Sequence, residues 1–195
     1  MNQEYWNDAA SKGAILGGLM LVSHIVEQSS ILSGSITAVT FIGLEMLVVA
    51  AIYIYLLYRF AKKASVKFAD STLGFSYSQA LMYIVCITLF AGVIVGLGGY
   101  VYTHYIIGYE NYTDRMIAGV QQMLQEMGGS PSIPRMYNDM LQTLAEQSEP
   151  SILSTIASSI FSYGLWGLFI GLFIAAGVKR EPQIFDNDPQ EPEQI

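Results

Sequence analysis

Four runs of apolar residues, each long enough to cross a lipid bilayer, constrain this chain more than any other feature. They cover residues 13–32, 37–58, 79–107 and 152–178. A hydrocarbon core about 30 Å thick needs roughly 20 apolar residues in a helix rising ~1.5 Å per residue. Lipid offers no partner to a peptide N–H or C=O, so a spanning segment must be a helix or a strand of a closed barrel. None of the four runs alternates apolar and polar residues with period two, which excludes the barrel. The expected fold is all-α, an integral membrane four-helix bundle.

Composition agrees. Hydrophobic residues make up 52% of the 195, charged residues 13%, and the mean hydropathy is +0.41. Soluble domains carry about twice that charge density. The net charge of −7 is not a property of the whole surface, because Glu181, Asp186, Asp188, Glu191 and Glu193 crowd a Pro-rich tail over 179–195. That tail is expected to be disordered. Nine scattered bases argue against nucleic acid as a partner. The single Cys86 lies in an apolar run, where it can form neither an internal disulfide nor a metal site. Glu4 and Asp8 precede the first base, Lys12, and the apolar run that follows is too long for a signal peptide. Only Ser33-Gly34-Ser35 resembles a cleavage site.

Basic residues orient the spans. Lys12, Arg59, Lys62, Lys63, Lys67, Lys179 and Arg180 fall on one side, and Arg115 and Arg135 on the other. Segment 1–12, the 59–78 loop and the tail are therefore expected in the cytoplasm. Tyrosines and Trp6 collect at the predicted interfaces, Tyr5, Tyr53, Tyr55, Tyr58 and Tyr77 at the inner one. Tyr100, Tyr102, Tyr105, Tyr109 and Tyr112 mark the outer one. The extracytoplasmic segment 108–151 is more than a linker. Met116, Ile117, Val120, Met123, Leu124 and Met127 form one face of a helix over 113–127. Gly128-Gly129 and Pro131 stop it, and Met136, Met140, Leu141 and Leu144 begin a second amphipathic piece. The expectation is a helical hairpin that caps the bundle, lies in the headgroup layer or meets a partner through 113–148.

Ionisable residues within a span are costly, about 2.5–3.5 kcal/mol on insertion scales, so they are candidate functional residues. His24 and Glu27 are three apart and share a face of the first span. Glu27 lies roughly 9 Å, and Glu45 of the second span roughly 12 Å, from the outer surface. Two readings follow for His24, Glu27 and Glu45. They could form a proton or cation site, or each could be hydrogen-bonded within the bundle, with Ser23, Gln28 and Ser29 as partners. One His and two Glu match zinc ligand types, but no spacing enforces the geometry, and no metal is assigned. Gly13 and Gly17, Gly92 and Gly96, and Gly167 and Gly171 are each four apart. Such pairs let helix backbones approach closely, in a tight bundle or an oligomer. Gly96, Gly98 and Gly99 leave open a kink in span three.

The chain has no P-loop, dinucleotide fingerprint, His-Glu-x-x-His or Gly-x-Ser-x-Gly motif. No cofactor and no catalytic residue is expected.

The order of several segments resembles a bacterial membrane family known as domain of unknown function 4199. Tyr5-Trp6 leads into the glycine-rich Lys12-Gly13-Ala14-Ile15-Leu16-Gly17-Gly18. The run Leu73-Gly74-Phe75-Ser76-Tyr77-Ser78-Gln79-Ala80-Leu81 introduces span three, and Tyr105-Ile106-Ile107 precedes the acidic loop. Gly171-Leu172-Phe173-Ile174-Ala175-Ala176 closes span four before Lys179-Arg180. The resemblance covers about residues 5–181. It implies a multi-pass protein of the bacterial cytoplasmic (inner) membrane, brings no catalytic residues with it, and has no motif matching His24, Glu27 or Glu45. The first functional expectation is a non-enzymatic bundle with a structural, scaffolding or accessory role, in contact with lipid and with a second copy or a membrane-protein partner. The second is a proton- or cation-coupled transport component using the intramembrane carboxylates. Intramembrane hydrolysis is the third and weakest.

Overall fold

Serines start three of the four long helices. Ser35, Ser76 and Ser151 each adopt extended backbone and accept a hydrogen bond from the amide three residues on. This satisfies a donor that the first helical turn would leave unpaired. At Ser76 the arrangement is reciprocal, because the Gln79 side chain accepts from the Ser76 amide at 2.8 Å. In the computed structural model, which describes residues 3–70, 73–126 and 148–181, the helices are α1 (Gln3–Leu32), α2 (Ile36–Lys67), α3 (Tyr77–Val101), α4 (Tyr109–Glu126) and α5 (Ile152–Val178). The described residues are almost wholly helical. Four helices are long and apolar enough to cross a membrane, α3 being counted with the π-helical turn Tyr102–Ile107 that continues it.

α1 and α2 run past the apolar stretches of the sequence. α1 begins ten residues before position 13 because nothing between Gln3 and Gly13 breaks a helix; hydropathy marks the solvent boundary, not the helix end. Those extra turns are tied down. Tyr5 donates to the Gln79 carbonyl at 2.9 Å, the Tyr83 hydroxyl donates to Asp8, and Lys67 of α2 reaches Glu4 at 2.9 Å. At this end, called the near end, a short antiparallel bridge pairs Phe75 with Arg180, so the loop before α3 holds the end of α5.

α1 and α2 are joined at the far end by a three-residue turn in which Gly34 has φ +68°, a backbone conformation that side chains disfavour. They are therefore antiparallel. α3 occupies the middle. Contacts of α1 with α3 advance together along both helices (Gly13 with Ile87, Gly17 with Ala91, Leu21 with Gly98), so these two are parallel. Those of α5 with α3 run in opposite directions (Ile160 with Gly92, Ile156 with Gly96, Gly167 with Thr88). The core gathers around Tyr83, Ile84, Ile87 and Ala91 of α3 with Leu16 of α1, Leu57 of α2 and Ala175 of α5.

The irregularity in span three is the π-helical turn, beyond Gly96, Gly98 and Gly99 and not at them. α4 follows and folds back over the far end. Its Gly119 meets Gly34 of the 33–35 turn, Met116 and Val120 beside it are buried, and the Tyr112 hydroxyl donates to Gln28 Oε1 at 2.5 Å. Burial raises the Tyr112 pKa, with smaller electrostatic contributions from Tyr109, Glu27 and Tyr102, so the hydroxyl remains a donor. The amphipathic piece expected at 136–144 and the tail from 182 lie outside the described residues.

Candidate functional site

All six glycines singled out by their spacing face another helix of the same chain. A Cβ on Gly13 would stand 2.5 Å from Phe90 Cβ, and one on Gly17 2.9 Å from Ala91 Cα. On Gly92 and Gly96 it would lie 2.9 and 2.8 Å from Ile160 Cα and Ile156 Cα. At Gly167 it would overlap the fully buried Thr88, and at Gly171 it would press on Leu81 at 3.0 Å. The three pairs thus draw α1 and α5 tightly onto two neighbouring faces of α3. α2 has no such contact, for Gly43 has open space around it.

This uneven packing leaves a cleft. With α1 and α5 seated on α3, and α2 only loosely against α5, a cavity of about 720 Å³ forms between α1, α2 and α5, with Val95 of α3 in its floor. Most of its polar side chains lie in the far-end half, opposite the apolar Met46 of α2. Ser23, His24 and Glu27 come from α1, and Ser158, Ser159 and Ser162 from α5. Towards the near end it is lined by Met20, Ile54 and Ile170 with the aromatic Tyr53 and Trp166. Met46, Ala50 and Ile54 on α2 and Ser158, Ser162 and Trp166 on α5 are exposed, so the cleft opens between those two helices. The Tyr53 hydroxyl is enclosed, the residue being 6% exposed, and has no hydrogen-bond partner among the described residues.

His24 Nδ1 lies 4.0 Å from Glu27 Oε2, and the imidazole is seated against α3 where Gly99 leaves room; a Cβ there would be 3.3 Å from Nε2. Glu45 does not join them. It is absent from the cleft lining, and among the described residues no three acidic, His or Cys side chains form a group that could hold a metal ion. Equal depth on neighbouring helices does not bring side chains together, because each helix also sets the direction in which they point. The Glu45 Oε2 atom is nonetheless enclosed without a hydrogen-bond partner among the described residues.

A second ionisable group was not apparent from the sequence. His104, in the π-helical turn, is stacked between Tyr100 at 3.8 Å and Tyr109 at 5.1 Å. Nδ1 lies 3.0 Å from the Tyr100 carbonyl and 2.8 Å from Thr103 Oγ1. A carbonyl can only accept, so the Tyr100 contact is a hydrogen bond in the tautomer that carries its proton on Nδ1. That leaves the buried Nε2 facing Glu149 Oε1 at 3.5 Å. The signal available was a histidine near the end of an apolar span, obscured by the tyrosines around it.

Four packed helices of this length and apolarity make the chain a helical bundle with the span-capable helices of a multi-pass membrane protein. Its family follows from residues 12–180, which match the family model described as "Protein of unknown function (DUF4199)"; the chain belongs to that family. No curated protein and no solved structure matches it.

Proposed function

We propose that this protein is a non-enzymatic component of the bacterial cytoplasmic membrane that binds a small amphiphilic molecule in the cleft between α1, α2 and α5. The observation that carries the reading is the cleft's polarity gradient. Its volume of about 720 Å³ suits a small molecule. Hydroxyls, His24 and Glu27 lie at one end, apolar side chains at the other, and the opening faces the side of the bundle. A lateral opening at membrane depth admits molecules from lipid more readily than from water.

The near end, with Arg59, Lys62 and Lys63 exposed, is the cytoplasmic one in this reading, and α4 covers the outer end. Single cysteines at Lys62 and Glu110, probed in intact cells with a membrane-impermeant maleimide, test it. Glu110 should label and Lys62 should not; the reverse pattern would overturn the orientation. Ser162→Trp, which fills the cleft from its exposed rim, should displace amphiphiles that co-purify with the wild type and are detected by native mass spectrometry. An unchanged set would count against the cleft as the working site.

One observation favours a second reading, proton- or cation-coupled transport. The Glu45 carboxyl oxygen is enclosed without a partner among the described residues, where an unsatisfied polar atom is costly. If this reading holds, Glu45→Gln abolishes proton or cation flux in proteoliposomes. Absence of flux in the wild type removes it.

A further inference from the structure

The cleft's lining also specifies the head of its guest. Among the described residues that line it, Glu27 is the only acid and there is no lysine or arginine. An anionic head placed at the polar end would meet a carboxylate whose basic neighbour is the His24 imidazole, 4.0 Å away, with no lysine or arginine beside it. The serine hydroxyls and His24 suit donors and acceptors equally, so Glu27 decides the sign. Tyr163 lines the same cleft close enough to feel the Glu27 charge, and Trp166 lies one turn further along α5. A carboxylate holds an ammonium group by charge pairing and an aromatic ring holds one by attraction to its face, and the cleft lining contains both.

At the other end Met20, Ile54 and Ile170 line the cleft together with the ring of Tyr53. Counted along α1 from Leu32 and along α2 from Ile36, Glu27 and Tyr53 differ in depth by roughly 18 Å. A guest that spans both needs a chain of that length. From these observations we infer that the guest is a long-chain amphiphile with an ammonium head, seated with its nitrogen at Glu27 and its tail running towards Tyr53. The inference rests on the cleft reading above and adds the chemistry of the head.

The test uses the full chain in nanodiscs of uncharged lipid. Three spin-labelled amphiphiles of equal chain length, with ammonium, sulfate and glycerol heads, are compared by the fraction immobilised on the protein. The ammonium probe should associate about tenfold more strongly than the sulfate, an effect the size of one charge pair away from water. Glu27→Gln should bring the two within about twofold. Ser158→Lys, at an exposed rim position, should invert the preference and keeps the test open if Glu27→Gln does not fold. Equal association of ammonium and sulfate with the wild type, or a preference indifferent to both variants, overturns the ammonium assignment. If Ser162→Trp still weakens all three probes, the cleft reading survives that failure. If Ser162→Trp changes none of them, the cleft reading fails as well.

Discussion

α2 and α3 are two long, strongly apolar helices with opposite surroundings. Of the most apolar stretch of α3, 56% is buried within the protein, against 12% for α2. Hydropathy does not separate them, because lipid and a protein interior are equally free of water. Shape does. α3 presents Ala80, Ala91, Gly92, Gly96 and Gly99 to its neighbours, and every one is buried. α2 turns Phe41, Leu44, Leu47 and Val48 outward, and touches the core mainly through Tyr53, Leu57, Ala61 and Ala64 near its other end. Within lipid no hydrophobic effect drives helices together, so association depends on close packing. The small residues therefore mark which face of an apolar helix meets protein. The cleft is a consequence: α2, whose one glycine, Gly43, has open space around it, stands off where α1 and α5 close on α3.

Substitutions that reverse these surroundings should have unequal effects. The largest is expected for Gly92→Leu. A side chain there collides with the α5 backbone, which cannot rotate away as a side chain can, and the loss should reach about 3 kcal/mol. Reversible unfolding in detergent measures it, and a loss under 1 kcal/mol would mean that α3 is not tightly enclosed. Next is Ser76→Ala, which removes the hydroxyl from the reciprocal cap at the start of α3 and should cost about 1 kcal/mol in the same assay. No change would show that the near-end contacts hold that turn alone. The smallest is Gly43→Ala on α2, at a glycine with open space around it. It should be neutral or stabilising by up to ~1 kcal/mol, since alanine loses less freedom than glycine in a helix. A clear destabilisation there would reveal a close neighbour that the packing of α2 does not include.

Much of the fold was legible in the sequence because water's absence leaves a strong compositional mark. Four apolar runs could form nothing but helices, and the stops at Ser33-Gly34-Ser35 and at Pro150-Ser151 bounded them. The first ten residues of α1 were not legible as part of that helix, since Glu4 and Asp8 look like solvent-exposed charge until their partners Lys67 and Tyr83 are known. The reciprocal cap of Ser76 and Gln79 is legible from its spacing, a serine followed three residues on by glutamine ahead of an apolar run.

Of the candidate site, the local part was visible. His24 and Glu27 share a face because three residues nearly complete a helical turn. What they face depends on the rotation of α5, which Gly92 and Gly167 set through contacts far away in sequence. Ser158, Ser159 and Ser162 therefore passed as ordinary small residues of an apolar span. His104 depends on a π-helical turn that no residue pattern announced.

The claim on which the account rests is that α3 is enclosed by protein while α2 faces lipid. Nitroxide labels at single cysteines answer it directly, in a Cys86→Ala background reconstituted into bilayers. Leu44 and Leu47 would represent α2, and Ile84 and Ile87 would represent α3. Collisions with oxygen, which concentrates in lipid, should be frequent at the α2 positions and rare at those on α3, with a water-soluble nickel chelate reaching neither. Equal oxygen access on both helices, or nickel access at Leu44 and Leu47, would contradict it.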